Sequence, residues 1–142
     1  MTDDEAKRRF VEARVARLAT TDTDGNPHLV PICFAVDQGS KTRTTIYSAV
    51  DAKPKTTPDL KRLRNIERNP SVTLLVDHYD DDWNQVWWVR VDGTATVHDT
   101  HDQGTTRLAA KYPQYAEAPD HLGRIVVVEV QKWASWAYAD PV

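Results

Sequence analysis

The chain lacks most features that mark secreted, membrane-spanning or disulfide-stabilised proteins. It has one cysteine among its 142 residues, which excludes an internal disulfide. No apolar run approaches the roughly 18 residues that a membrane-spanning helix needs. The opening, MTDDEAKRRF, is charged where a signal peptide requires an apolar core. These absences predict a soluble, cytoplasmic protein, and the position of Cys33 in the apolar run VPICFAV predicts a buried structural thiol rather than a nucleophile.

Several functional classes are also excluded by patterns that the sequence does not contain. The net charge is −3, whereas nucleic-acid-binding domains carry a strong basic field. Neither a Walker pattern nor G-x-G-x-x-G occurs, so P-loop and Rossmann-type nucleotide sites have no support. No spacing of Ser, His and Asp indicates a hydrolase. His98 and His101 lie close together at an expected strand-to-helix junction, where we predict a solvated helix cap rather than a metal site.

The residues that are present predict a chain made mostly of strands. We expect a helix from about Asp4 to Arg14, then a β-hairpin that turns at Asp24–Asn26. A third strand is expected at RTTIYSAV, and a fourth at SVTLLVDHY. In the fourth strand the alternation places three apolar residues on one face: Val72, Leu74 and Val76.

The second half of the chain continues this pattern. Two strands are expected around Asp92-Gly93, followed by a helix that Pro113 ends and then irregular chain. The last run, RIVVVEVQKWASWAYA, predicts a long strand in a central or barrel-closing position. Six or seven strands with a few inserted helices predict an α+β antiparallel barrel, in a single domain spanning residues 1–142.

Basic residues are concentrated in one segment, KPKTTPDLKRLRNIERNP, in spite of the acidic balance of the whole chain. Thr56 or Thr57 could cap a helix, and Pro58 suits its first position. The helix should extend to about Arg68. Its period places Leu60, Leu63 and Ile66 on one side, and it places Lys61, Arg64, Asn65 and Arg68 on the other, with Arg62 at the margin.

Two interpretations of these cations remain open at this point. Arg64 and Arg68 fit an ordinary solvated helix face. Lys53 and Lys55, together with the threonine hydroxyls and the free backbone N–H groups at a helix start, fit a phosphate site.

Two stretches of the sequence have a characteristic spacing: ATTDTDGNPHLVP, with D-G-x-P-x-x-x-P, and TIYSAVDAKPK followed by RNIERNPSV. In these stretches the chain resembles the pyridoxamine 5′-phosphate oxidase-like family of FMN-binding split barrels. The later stretch LLVDHYDDDWNQVWWVRVDGTATV is similar to an actinobacterial subfamily of coenzyme F420-dependent oxidoreductases. The resemblance implies a homodimer with two cofactor sites at the subunit interface, and no nucleic-acid or membrane partner.

The resemblance also implies which residues bind the cofactor. Its basic pair falls on Lys53 and Lys55, and its helix-borne cation falls on Lys61 or Arg62. The flavin-like ring would lie along strand backbone at two segments: Val30, Pro31 and Ile32, and Tyr47, Ser48 and Ala49. Strand alternation places Trp87 and Trp88 on opposite faces, and we assign Trp88 to the cofactor or subunit-interface side.

Catalytic side chains cannot be assigned from the sequence, because a flavin or deazaflavin carries the hydride itself. A proton donor, where one is needed, could be Tyr47, Tyr79 or His28. The leading hypothesis is an F420-dependent reductase of a small conjugated substrate, since the extra helix cations suit the charged tail of F420. An FMN-dependent oxidoreductase or oxidase of the same fold is the first alternative, and a non-enzymatic carrier of F420 or flavin is the second.

Overall fold

A computed structural model describes residues 1–40, 42–51, 60–118 and 122–139. The described strands are β1 (Ala16–Thr21), β2 (Pro27–Ile32), β3 (Ala35–Ser40), β4 (Arg43–Asp51), β5 (Ser71–His78), β6 (Trp87–His98) and β7 (Leu122–Ala137). The described helices are α1 (Asp3–Glu12), α2 (Lys61–Arg68), α3 (Asp102–Lys111) and α4 (Pro113–Glu117), with a 3-10 turn at Trp83–Gln85. None of these helices is long and apolar enough to cross a membrane.

The seven strands form one antiparallel sheet in the order β2-β1-β5-β6-β7-β4-β3. This α+β architecture confirms the predicted fold class. The last strand, β7, lies between β6 and β4, as its long β-rich sequence predicted. In β5 the burial alternates, and Val72, Leu74 and Val76 are the buried residues, so the predicted face is also confirmed.

The first hairpin forms where the Asp-Gly-Asn signature predicted it. Gly25 has φ +85°, which glycine adopts without a side-chain clash. The Asp22 carboxylate accepts hydrogen bonds from the backbone N–H groups of Asp24 (2.9 Å) and Asn26 (2.8 Å). The hydrogen bond from Asn26 is the largest influence that lowers the pKa of Asp22. The local sequence therefore encodes this turn by itself.

The prediction of two strands around Asp92-Gly93 was wrong, because β6 runs through this point as one strand. The pairing with β7 shifts register between Asp92 and Gly93, which is a β-bulge rather than a turn. A Cβ added at Gly93 would lie 2.5 Å from the Glu129 backbone oxygen. The glycine is therefore needed for close packing of two backbones and not for chain reversal.

Two other predicted elements differ from the structure. The second strand of the hairpin, β2, ends at Ile32 and the chain enters a further strand, β3, at Ala35, so RTTIYSAV belongs to the fourth strand and not the third. The chain after Pro113 was expected to be irregular, but it forms the short helix α4, with Pro113 at its start. Proline suits this position because its missing N–H would have no intrahelical partner there.

The core has two parts on opposite faces of the sheet. The main cluster lies on the inner face and receives Ala6 and Phe10 from α1 and Leu63 and Ile66 from α2. The smaller cluster lies beneath α3, where Leu108 packs on strand residues that include Tyr47 and Val127. The two clusters hold the three longer helices against fixed positions of the sheet.

Candidate cofactor site

The basic helix begins later than predicted. Leu60 has extended backbone angles at the N-cap position, and Lys61 is the first helical residue, so the expected start at Pro58 was wrong. Leu60 packs against the main core cluster, which fixes the chain immediately before the helix. The predicted caps Thr56 and Thr57 lie outside the described residues, as do Lys53 and Lys55.

The face assignment of α2 was right for its cations and wrong for Asn65. Lys61, Arg64 and Arg68 are exposed, and Arg62 is half-buried. Asn65 is buried at 4% exposure, and its side-chain amide donates to the Thr20 hydroxyl (3.0 Å) on the inner face of β1. Helical periodicity places Asn65 on the face that carries the cations, but it cannot show that the amide has a buried hydrogen-bond partner 45 positions away in the sequence.

The structure brings together the two strand segments that the family resemblance assigned to the cofactor ring. The Ser48 hydroxyl of β4 donates to the Cys33 carbonyl (2.9 Å), immediately after β2 ends at Ile32. Ser48 and Ile32 are buried, and Cys33 is half-buried rather than fully buried. Because Ala35 of β3 pairs with Tyr47 of β4, this hydrogen bond continues the β3–β4 pairing into the junction that follows β2.

The side chains of the first segment lie on both faces of β2. Val30 and Ile32 belong to the main core or pack against it, whereas Pro31 is exposed on the outer face. Within the described residues β2 pairs only with β1, so its second edge carries backbone groups available to a ligand or another chain. The backbone of this segment is therefore more accessible than its side chains.

Tyr47 and Ala49 belong to the second cluster beneath α3. The Tyr47 side chain is 3% exposed, and a Cβ added at Gly104 of α3 would lie 2.9 Å from its ring. Burial is the main cause that raises the pKa of the Tyr47 phenol, and the nearby carboxylates of Asp37 and Glu129 raise it further. Its phenol therefore stays protonated well above neutral pH but is shielded from solvent in the single chain.

The two adjacent tryptophans lie on opposite faces of β6, as predicted. Trp87 packs against the main core cluster, while the Trp88 ring lies 5.2 Å from the Arg90 guanidinium. Trp88 and Pro31 lie on the same outer face of the sheet. Across the four strands Pro31 pairs with Arg17, Arg17 with Leu75 and Leu75 with Arg90, and Arg90 lies two residues after Trp88 on the same face of β6. This outer face exposes large apolar side chains, with Leu29 at 66% and Trp136 at 42%.

The other sequence candidates have simpler surroundings. His101 caps α3, with its Nδ1 atom accepting from the Gly104 backbone N–H (3.0 Å), which confirms the predicted cap. Tyr79 is 72% exposed. His28 is half-buried, and its Nδ1 atom has no hydrogen-bond partner within the described part of the chain.

Tyr112 was missed from the sequence, although it organises the chain next to the candidate site. Its hydroxyl accepts from the Phe34 backbone N–H (2.9 Å) and lies 2.9 Å from the backbone oxygens of Phe34 and Arg14. It thereby holds the β2–β3 junction against the end of α1. Its partners are 78 and 98 positions away, so no local pattern could have indicated this role.

Three surface cavities of about 460, 450 and 360 Å³ flank α1, and none of these is lined by a residue predicted to bind the cofactor. A site shared between two subunits would present only half of its walls on one chain. Of the predicted ligands that the structure describes, Pro31, Trp88 and the helix cations lie on the surface, whereas Ile32, Tyr47 and Ser48 are buried.

The antiparallel sheet and its flanking helices have the split-barrel fold. Residues 2–137 match the family model described as pyridoxamine 5′-phosphate oxidase, and the chain belongs to this family. None of the curated proteins searched matches the chain.

Solved structures show the same fold at low sequence identity. A conserved hypothetical protein from Mycobacterium tuberculosis is 21% identical, with a TM-score of 0.72 over 96% of this chain and 85% of that one. The heme storage protein HutZ from Vibrio cholerae is 16% identical, with a TM-score of 0.68 over 95% and 93%. An FAD-binding protein from Mycobacterium smegmatis is 18% identical, with a TM-score of 0.64 over 97% of each chain.

Proposed function

We propose that the protein is an F420-dependent reductase that transfers a hydride from the reduced deazaflavin to a small conjugated organic substrate. The observation that carries the proposal is the exposed row of cations on α2, in a chain of the flavin-binding split-barrel family. When bound, the deazaflavin supplies the hydride chemistry. The residues of the chain bind it, orient it and exclude water.

The charge of the helix favours F420 over FMN. Lys61, Arg64 and Arg68 are spaced by three and four positions and form one exposed stripe. The single terminal phosphate of FMN needs only a basic pair such as Lys53 and Lys55. F420 carries a phosphodiester and several glutamate carboxylates, which can also use a cationic stripe.

The proposed assembly is a homodimer whose two cofactor sites lie at the subunit interface. The open edge of β2 and the outer face with Pro31 and Trp88 support it, because exposed apolar side chains on this face can be covered by a second subunit. A second subunit would also supply the walls that the single chain lacks around the predicted ligands.

Cofactor titration tests the proposal directly. The purified protein is titrated with F420, FMN and the riboflavin-like deazaflavin Fo, which lacks the phosphodiester and the glutamates, with fluorescence as the readout. We expect F420 to bind with Kd below about 10 μM and at least tenfold more tightly than FMN or Fo. Failure of F420 to bind below about 100 μM would contradict the proposal, and preferential binding of FMN would establish the FMN alternative.

Variants then locate the anionic groups. Lys55→Ala should weaken F420 binding by about 10- to 100-fold, as expected for a lost charge-assisted hydrogen bond. The double variant Lys61→Ala/Arg64→Ala should weaken it by about 3- to 10-fold and leave Fo binding unchanged. Arg8→Ala, which removes an exposed cation of α1 beside Glu12 (3.3 Å), is the matched control. Equal effects of the control and the helix variants would contradict the assignment.

Turnover distinguishes an enzyme from a carrier. The structural neighbours include one named for heme storage and one for FAD binding, so a carrier is the alternative that this assay must exclude. Reduced F420 should be oxidised in the presence of a conjugated ketone or nitroaromatic acceptor, with one hydride leaving each cofactor for each substrate reduced. Tight binding without turnover over a broad acceptor panel would favour the carrier.

A further inference from the structure

A cavity of about 450 Å³ separates α1 from the end of the sheet where β5 finishes and β6 begins. Its volume is within the range of about 300–1,000 Å³ that is common for small-molecule sites. It shares no residue with the candidate cofactor site. The lining residues that matter for ligand chemistry are Glu5, Arg9, His78, Gln85, Val86 and Trp87.

An aromatic and apolar wall forms one side of this cavity. The Trp87 ring is half-buried, and His78 of the neighbouring strand lies nearly parallel to it, with ring centroids 6.3 Å apart. Val86 is buried beside the tryptophan, and Ala137 of β7 completes the wall. Such a flat surface favours a planar ligand, because aromatic rings gain contact area when they pack side by side.

Arg9 of α1 provides a cation beside this aromatic wall. Its guanidinium lies 5.1 Å from the Trp87 ring and uses one Nη2 donor for Glu5, at 2.7 Å. A guanidinium has five N–H donors, so others remain to meet a ligand in the cavity. The fork of an arginine matches a carboxylate, which can accept two parallel hydrogen bonds.

Further polar groups border the cavity at the 3-10 turn. The Asn84 amide nitrogen donates to Asp82 (3.1 Å), and the side-chain amide of Gln85 has no hydrogen-bond partner within the described residues. Small-molecule pockets typically combine an apolar or aromatic wall with a small number of polar groups at fixed positions, and these amide groups and the cation fit that description.

From this arrangement we infer that the cavity is a second binding site, for a small planar aromatic carboxylate. The ligand ring packs against Trp87 and Val86, and its carboxylate accepts hydrogen bonds from Arg9. The Gln85 amide contacts the remaining polar edge. Because the site lies apart from the cofactor ligands, its loss would leave F420 binding unchanged.

The test uses sodium benzoate as the probe and neutral benzamide as its planar counterpart. In the 15N-labelled protein each of the five tryptophans gives one indole N–H signal, and Trp87→Phe identifies the relevant one. Benzoate should shift this signal saturably, with half-saturation at about 1 mM for so small a ligand. Benzamide should bind at least about tenfold more weakly, because it lacks the negative charge.

Variants of neighbouring arginines provide a matched comparison. Arg9→Gln should weaken benzoate binding at least about tenfold. Arg8→Gln removes an exposed cation that lies nearer to Glu12 (3.3 Å) than to the cavity residue Glu5 (3.8 Å), and it should change binding by less than about twofold. Gln85→Ala, in the exposed turn, should weaken benzoate binding about threefold. This second variant tests the site even where Arg9→Gln does not fold.

Three results would overturn the inference: no saturable shift of the Trp87 signal up to about 20 mM benzoate, equal binding of benzamide, or unchanged binding in the Gln85→Ala variant and in folded Arg9→Gln.

Discussion

Removal of one hydroxyl, by Tyr112→Phe, should destabilise the protein strongly for so small a change. Tyr112 is 6% exposed and Phe34 is fully buried, so water cannot replace the lost group without opening the β2–β3 junction. The Phe34 backbone N–H now donates to the Tyr112 oxygen at 2.9 Å. The variant leaves this donor buried without that partner.

The expected magnitude follows from the two roles of the hydroxyl. An unsatisfied buried donor costs about 1–3 kcal/mol, and loss of the hydrogen bond that the hydroxyl donates to the Phe34 or Arg14 carbonyl adds about 1 kcal/mol. The free energy of unfolding should therefore fall by about 2–4 kcal/mol. At about 3 °C per kcal/mol for a chain of this size, the Tm should fall by about 6–12 °C.

Urea unfolding followed by tryptophan fluorescence measures this change. The midpoint should fall while the m-value stays constant, because the surface exposed on unfolding is the same. Tyr79→Phe is the matched control, since Tyr79 is 72% exposed and should change stability by less than about 0.5 kcal/mol. If Tyr112→Phe also changed stability by less than about 0.5 kcal/mol, the Phe34 amide would not depend on the hydroxyl, and the reasoning would be refuted.

Three further substitutions test polar groups that are buried or half-buried. Asn65→Ala should lower the free energy of urea unfolding by about 1–3 kcal/mol, because Thr20 loses its partner, and the added change Thr20→Val should restore part of the loss; no recovery would contradict the pairing. Burial, followed by the nearby Arg14 charge, lowers the pKa of Lys111 from 10.5 to about 8. From pH 8 to 10 the unfolded chain therefore binds more protons than the folded chain, so the free energy of unfolding should rise with pH over this interval in the native protein. The same rise in Lys111→Met would contradict this assignment.

Local signals in the sequence were sufficient for the hairpin at Gly25 and for the buried face of β5. In both cases the determining contacts lie within a few residues or within one strand. The Asp92-Gly93 pair shows where local sequence signals become ambiguous, because the same dipeptide is common both in hairpin turns and in β-bulges. Only the close approach of the Glu129 backbone distinguishes the two.

Prediction of the candidate site was limited by long-range contacts. The sequence pattern of α2 indicates its exposed cations, but the pairing of Asn65 with Thr20 requires knowledge that α2 packs on β1. The hydrogen bond between Ser48 and Cys33 depends on the chain leaving β2 and entering a separate strand, β3, that pairs with β4. The cofactor assignments to Lys53 and Lys55 remain predictions that the titrations address.

The position of β7 has a consequence for the order in which the chain can fold during synthesis. β7 is the last of the seven strands to be made, yet it separates β6 from β4 in the sheet. Until it emerges, a nascent chain carries two strands, β4 and β6, with unpaired edges that can pair with other chains. Folding of the barrel therefore waits for translation through residue 137, and premature termination before β7 would yield an aggregation-prone product rather than a smaller stable barrel.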